Sequence, residues 1–332
     1  MPLPLLRINE KLTVHVLRTF GMRELLAISI LSKRAGKAVK LLKLRSLEVN
    51  LYIGNFINFE LIFNDPTQNL VLEFYNHVKR RNTVLNIPKR VTVTSDGNEI
   101  EEWKFPSSKM TMKDWYYHIE KTVDALFWIH FEFGFTIFNF ESIKKTFQDV
   151  ELKVLSIAEN IPNNRSRMIL EEFLPISHGL ELRRNPFQKK EDLRAILIQN
   201  QEFFSLGSQE RFTDFTLNDM LICKFALLSI QNPTWTDSDL NRFLKLCIKG
   251  ACPNLCQLEF CYLLEDWRWN SREVLKGISY KEFTGDRGIG VFGDNIPWSI
   301  NGGYDIQGMD GRICSIEVVE PRRVNFWFWG LY

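Results

Sequence analysis

The feature that most limits what this chain can fold into is a recurrence of short apolar cores in its second half. They stand at Leu152–Ile157, Leu180–Leu182, Glu202–Leu206, Leu227–Ile230 and Leu258–Phe260. With Leu155, Leu182, Leu206, Ser229 and Leu258 as markers, the spacings are 27, 24, 23 and 29 residues. Helix-like stretches separate several of them, at 166–174, 217–223 and 237–248. Thr236 or Asp237 caps the last of these and Gly250 closes it. A lone strand-plus-helix unit leaves its apolar faces uncovered, and stacking the next unit covers them. The pattern predicts a leucine-rich-repeat-like strand/helix stack, degenerate because Leu-x-x-Leu-x-Leu is only partly present.

The stretch before it reads differently. Leu47-x-Val49-x-Leu51-x-Ile53 alternates with period two, as do the stretches around Phe59–Phe63, Leu70–Phe74 and Val91–Val93. Asp96-Gly97 marks a hairpin between 91–95 and 100–103. A long helix is predicted from Thr111 to His130, with Ile119, Val123, Leu126, Phe127 and His130 on one face. The expectation is a strand-rich region with one long helix over 46–150.

The N-terminal 45 residues form a third text. They hold ten Lys/Arg and two acids, Glu10 and Glu24, a local net of +8 that leaves −6 for the remainder of a chain whose total is +2. The cations alternate with regular apolar positions, so the segment is folded. Asn9 can cap a first helix with Leu12, Val16, Leu17 and Phe20 on one face, ended by Gly21. A second carries Leu25, Leu26, Ile28 and Ile30, and Ser32 can cap a third with Ala35, Val39 and Leu42 inward. Leu5, Leu6, Ile8, Leu12, Ile28 and Leu31 exceed what so small a bundle can bury, which predicts a docking surface. A DNA-reading helix over 33–44 would lack Asn or Gln for base edges.

Leu6-Arg-Ile-Asn-Glu-Lys-Leu12-x3-Val16-Leu17, Glu24-Leu-Leu-Ala-Ile-Ser29 and Leu31-Ser-Lys-Arg34 resemble an F-box, with Ile8-Asn9 where that motif has Leu-Pro and Ala35 where it often has Trp. Further on, Phe215-Thr-Leu217-x-Asp219-Met-Leu221, then Trp235 through Gly250, then Pro253-Asn-Leu255-x-x-Leu258, resemble the F-box-associated domain, type 2, of a large nematode-type family. That family usually has Trp where Cys247 stands. Gly303-Tyr-Asp-Ile306 and Asp310-Gly311-Arg312 suit its closing strands, with Asp310-Gly311 as a turn. The resemblance implies an F-box at 1–45 and an F-box-associated domain at 151–332. It implies adaptor contacts from Ile8, Leu12, Val16, Leu25, Ile28 and Leu31, with Arg7, Lys11, Lys33 and Arg34 aiding association.

Catalytic signatures are sparse. The sequence has no Gly-x-x-x-x-Gly-Lys-Ser/Thr, no Gly-x-Ser-x-Gly and no His-Glu-x-x-His. Gly288-x-Gly290-x-x-Gly293 is read as a surface loop, because no strand convincingly precedes it and Pro297 follows. Six irregularly spaced Cys are read as reduced core thiols, without metal or cofactor. The basic run from Leu182 to Lys190 is read as a solvated loop, and the tail from Val324 to Tyr332 as a last strand buried on both faces. Charge too soon after Met1 for a signal peptide, and no apolar run long enough to span a bilayer, predict an intracellular protein. The expected function is a non-catalytic substrate receptor of a Skp-cullin-F-box ubiquitin ligase. Its partners would be a Skp-type adaptor, through it a cullin, and a target protein, with no nucleic acid and no membrane. The alternative is an interaction scaffold whose degenerate F-box does not bind the adaptor.

Overall fold

Capping side chains begin two of the three short N-terminal helices. In the computed structural model, the Asn9 side chain accepts the Lys11 amide at the start of α1 (Glu10–Leu17). Ser32 accepts the Ala35 amide at the start of α3 (Lys33–Lys40), while Gly21 precedes α2 (Met22–Leu31) without a side-chain cap. These caps satisfy donors that a helix leaves orphaned at its start. Gly21 was expected to end the first helix; that helix stops at Leu17, and the turn bonds Thr19 N to Val16 O and Phe20 N to Leu17 O close it. Leu17, Leu25, Val39 and Leu44 form a small core, with Met22, Ile28, Ala38 and Leu42 packed against it.

The structure describes residues 9–75, 84–85, 87–88, 90–95, 99–103, 110–125, 129–133, 138–150, 152–187, 189–207, 215–263, 268–292, 296–319 and 322–330. The chain divides into two compact units, 1–155 and 156–332. Among the described residues no helix is long and apolar enough to cross a membrane.

In the first unit the helices are followed by β1 (Leu44–Ser46), β2 (Glu48–Ile53), β3 (Ile57–Ile62), β4 (Leu70–Tyr75), β5 (Arg90–Ser95) and β6 (Glu99–Trp103). Then come α4 (Met112–Thr122), β7 (Val123–Ala125), β8 (Ile129–Phe133) and α5 (Phe140–Phe147). The strands lie in the order β8-β2-β3-β4-β5-β6, with β2 and β8 parallel and the other pairs antiparallel. The predicted period of two is realised: Val49, Leu51 and Ile53 are buried on β2, and Leu70, Leu72 and Phe74 on β4. Ser95 pairs with Glu99 across the expected hairpin, whose Asp96-Gly97 turn lies outside the described residues.

The long helix over 111–130 is corrected. Thr111 starts it as expected, in a capping box with Asp114, but α4 ends at Thr122, and Val123 is extended at φ −114° and ψ 121°. Residues 123–125 instead pair in parallel with β1, and 129–133 with β2. Helical periodicity loses here to ladder hydrogen bonds that the neighbouring strands offer to a β-branched and aromatic run. The His130 side chain lies outside the described residues.

The division between units falls within β9 (Leu152–Ile157). The second unit continues with α6 (Asn163–Phe173), β10 (Ser177–Leu182), α7 (Lys190–Leu197), β11 (Phe203–Leu206), α8 (Leu217–Ile222), β12 (Leu227–Gln231), α9 (Asp237–Ile248) and β13 (Gln257–Cys261). Then follow α10 (Ser271–Val274), β14 (Lys281–Phe292), β15 (Ile296–Gln307), β16 (Ile313–Val319) and β17 (Arg323–Trp329). Strands β10 to β13 are parallel neighbours in chain order, each joined to the next through a helix. Antiparallel β17, β16, β15 and β14 extend the sheet beyond β13.

Register corrects one marker. Leu182 pairs with Leu206, but Leu206 pairs with Ile230 and not Ser229, and Ile230 pairs with Phe260. A shift of one residue changes the face of the sheet, so Ser229 belongs to the side away from the apolar core. The core side runs Leu180, Phe204, Leu228, Leu258, Phe326, Ile316 across six strands. Helix α9 covers this side, Phe243 meeting Phe326 at 6.0 Å and Phe328 at 6.3 Å between ring centroids. The tail is the strand that was expected: β17 lies between β13 and β16 and buries both faces from Val324 to Phe328. The Gly-rich 288–293 run is no loop along 288–292, which belongs to β14; bulges between Phe283 and Asp286 and between Gly288 and Gly290 absorb its irregular text.

Candidate functional site

Two surfaces are candidates, one in each unit. On the N-terminal helices the expected docking residues separate into exposed and supporting sets. Leu12 is 58% exposed and Leu31 75%, and Lys33 and Arg34 are exposed beside Leu31. Val16 and Ile28 are half-buried. Leu25, 3% exposed, lies inside the helical core, so it supports the surface without presenting itself to a partner. Ile8 lies outside the described residues. Phe20 and Leu41 add exposed apolar surface that the sequence reading assigned no docking role.

The polar side of the second unit's sheet is the other candidate. Glu181, Ser205, Ser229, Glu259, Asn325 and Glu317 are successive cross-strand partners on β10, β11, β12, β13, β17 and β16. They are linked by hydrogen bonds and ion pairs. Ser156 Oγ donates to Glu181 at 2.7 Å, Ser229 Oγ to Glu259 at 3.2 Å, and Asn325 Nδ2 to Glu317 at 3.0 Å. Arg323 meets Glu259 at 3.0 Å. The next row holds Phe203, Leu227, Gln257, Trp327, Ser315 and Asp305. There Arg287 binds Asp305 through two 2.7 Å bonds, donates to Ser315, and lies 4.0 Å over the Phe283 ring. Burial pushes the Asp305 carboxyl up, but the bonds from Arg287 and Ser315 outweigh it and hold it below the ordinary carboxylate value. The face presents paired polar groups and the half-buried Phe203, while Leu227 and Trp327 are buried within it, and such a polar, partly aromatic face suits contact with another macromolecule.

Burial weakens two of the cysteines as nucleophiles. Burial pushes the Cys223 thiol up to about 12 and also raises Cys314, so neither is a ready nucleophile at neutral pH. Among the described residues no group of three or more His, Cys, Asp or Glu is arranged to hold a metal ion. Cys247 is buried beside a cavity of about 10 Å³ bordered by Leu244, Ile306, Arg312 and Cys314, room for no more than one water.

The stretch from α7 to β13 carries the decisive comparison. Residues 192–260 match the F-box associated family. No curated protein and no solved structure gives a match to the chain. Within the F-box associated segment, the most diagnostic text turns out to be internal. Trp235 donates through Nε1 to Phe215 O at 3.1 Å, stacks on Phe215 and packs on Phe243 and Phe260. Thr236 and Asp239 form a capping box at α9, whose Leu240, Phe243, Leu244 and Cys247 are buried. Gly250 follows α9 at φ +90°, where a side chain would be strained.

Asp219 is a second internal anchor of the same segment. Its side chain is fully buried, caps α8 with Thr216, and holds Arg194 at 2.8 Å and Lys190 at 3.2 Å from α7. Burial pushes its carboxyl up, and the bonds from Thr216, Arg194 and Lys190 override this to leave it below the ordinary value. The sequence reading missed α7 and this clamp. Leu193, Ile196 and Leu197, spaced three and one apart and all buried, were the available signal. The basic run before α7 is also more than a solvated loop, because Arg184 donates to Ile161 O and to Asn163.

Proposed function

We propose that this chain is the substrate-recognition subunit of a Skp-cullin-F-box ubiquitin ligase. The observation that carries the reading is the F-box associated segment at 192–260, following a three-helix module that leaves Leu12 and Leu31 uncovered. In this reading the N-terminal helices are an F-box. Leu12 and Leu31 enter the adaptor, Val16 and Ile28 line the contact, Leu25 supports it from within, and Lys33 and Arg34 steer association. The second unit serves as a leucine-rich-repeat-like receptor whose polar sheet face, with Phe203 and the row from Glu181 to Glu317, holds an intracellular target protein. Catalysis belongs to the enzymes recruited through the adaptor and cullin, and this chain supplies no reacting group.

A pulldown of the purified chain with a Skp-type adaptor tests the reading. Capture at micromolar concentration, lost with Leu12→Asp and Leu31→Asp while circular dichroism is unchanged, is the expected result. Absence of capture by the unmodified chain overturns it in favour of a scaffold that does not join a ligase. That second reading rests on the burial of Leu25 and Ala35, which removes two positions from any partner's reach.

A further inference from the structure

Helix α3 carries a charge pattern that its own stability does not call for. Lys33, Lys37 and Lys40 are spaced by four and three, which puts them within about 60° of one another around the axis, on the side opposite the buried Ala35 and Val39. Arg34 flanks this stripe and Lys43 continues it past the helix end. All five side chains are exposed, and none has an ion-pair partner among the described residues. No Asp or Glu occurs between Glu24 and Glu48.

Lys37 and Lys40 in the last turn suit the helix dipole, but the other parts of the pattern work against the helix. Lys33 and Arg34 occupy a first turn that holds no acid, where the helix dipole favours anions. Lys33 and Lys37, and Lys37 and Lys40, are like charges at i,i+4 and i,i+3. Lys43 adopts φ +50°, a conformation that glycine enters with less strain. A folded segment that keeps several unfavourable local choices on one exposed stripe is arranged for something outside itself.

We infer that this stripe of α3 docks an acidic segment of a partner protein that also carries apolar side chains. The cations set the charge of the occupant, and Leu31 before the stripe and Leu41 after it, 75% and 47% exposed, set its apolar character. A phosphate backbone uses the lysines but has nothing for the leucines. The stripe also offers neither aromatic rings to stack bases nor amides to read them. Leu31, Lys33 and Arg34 are shared with the residues assigned to the adaptor, whereas Lys37, Lys40, Lys43 and Leu41 lie outside them, and the test varies only Lys37 and Lys40 of the stripe.

The test is fluorescence anisotropy with the full chain and a labelled 14-residue peptide bearing Glu and Leu at helical spacing. Binding in 50 mM salt that weakens at least about tenfold by 300 mM is expected, because exposed charge pairs are screened. Lys37→Glu with Lys40→Glu should weaken it by tenfold or more. Lys37→Gln with Lys40→Gln should fall between, with circular dichroism unchanged. Lys224→Glu, an exposed lysine of the other unit, should leave binding as it was. Three results overturn the inference: no binding of the peptide, an equal loss with Lys224→Glu, or tighter binding of a 20-nucleotide single-stranded RNA than of the peptide.

Discussion

Helices α3 and α9 begin alike, each capped by a hydroxyl side chain just before its first turn, and then diverge. Helix α9 follows with Asp237 and Asp239 in its first turn and Lys245 in its last, in agreement with its dipole. It buries Leu240, Phe243, Leu244 and Cys247 on one stripe. Helix α3 follows with Lys33 and Arg34 and buries only Ala35 and Val39. In α9 both ends agree with the dipole; in α3 Lys37 and Lys40 agree with it at the last turn, but the first turn and the like-charge spacing do not. The contrast separates two kinds of sequence information. Agreement across levels marks residues that build the protein, and local disagreement marks residues that face a partner.

The contrast is broken most severely by emptying the aromatic centre of the F-box associated segment. Trp235→Ala removes the packing on Phe215, Phe243 and Phe260 and one buried hydrogen bond, and should cost about 4 kcal/mol in chemical denaturation. Asp219→Ala should cost about 3 kcal/mol, from a lost cap and lost charge-assisted bonds to Lys190 and Arg194. By contrast, Leu12→Ser and Leu31→Ser should leave stability within about 0.5 kcal/mol, as exposed substitutions do. If Leu12→Ser proved as destabilising as Asp219→Ala, the division between building and presenting residues would fail.

These differences explain what was legible beforehand. Capped and periodic elements were readable because their signals are local: Asn9, Ser32, Thr111 and Thr236 all sit at helix starts, and α9 spans the expected 237–248. The parallel strands β10 to β13 were visible as apolar cores, but their pairing was not. The one-residue error at Ser229 arose because register is set by partners across the sheet, and Leu206 meets Ile230. Residues 123–130 read as helix because β1 and β2, which pair with 123–125 and 129–133, lie about 80 residues earlier. The apolar positions of the N-terminal helices were legible, but burial of Leu25 was not, since periodicity shows that a residue is on an apolar face without showing what covers it. The row from Glu181 to Glu317 draws one residue from each of six strands, so no local window contains it.

Acid should separate the two units. In the first, Ser29 Oγ donates to Leu26 O at 2.6 Å and lies 2.7 Å from His118 Nε2. The single hydroxyl hydrogen is committed to the carbonyl, so Nε2 carries a hydrogen and donates, and Nδ1 is where a further proton would go. Burial lowers the His118 pKa below its ordinary 6.5. The unfolded chain then binds the proton more readily, so the contribution of His118 is fully present above pH 6.5. It declines as pH falls below that value and levels off below the folded-state pKa. Asp219 in the second unit, held below the ordinary 3.8, contributes above 3.8, and its contribution is lost only as pH falls below it. Hydrogen exchange at pH 7.0 and 5.5 should show faster opening of α2 and α4 at the lower pH, with α7 to α9 unaffected by Asp219. His118→Gln should remove the difference in the first unit. Equal protection of α2 and α4 at both pH values would show that His118 does not couple the helical module to acid.

The smallest change brings α3 toward the pattern of α9. Lys33→Glu places a carboxylate in a first turn that holds no acid, and it replaces repulsion from Lys37 by attraction at i,i+4. With Glu N-terminal to Lys, the pair also has its better orientation. Stability should rise by about 0.5 kcal/mol, measured as a small upward shift in thermal midpoint. The same substitution removes one cation from the exposed stripe, so binding of an acidic peptide should weaken while the fold becomes firmer. Opposite signs for the two effects follow only if the lysine is retained for contact and not for folding. A variant that lost both stability and binding would mean that Lys33 supports α3 through the chain's own contacts, and the distinction between α3 and α9 would then lie in burial alone.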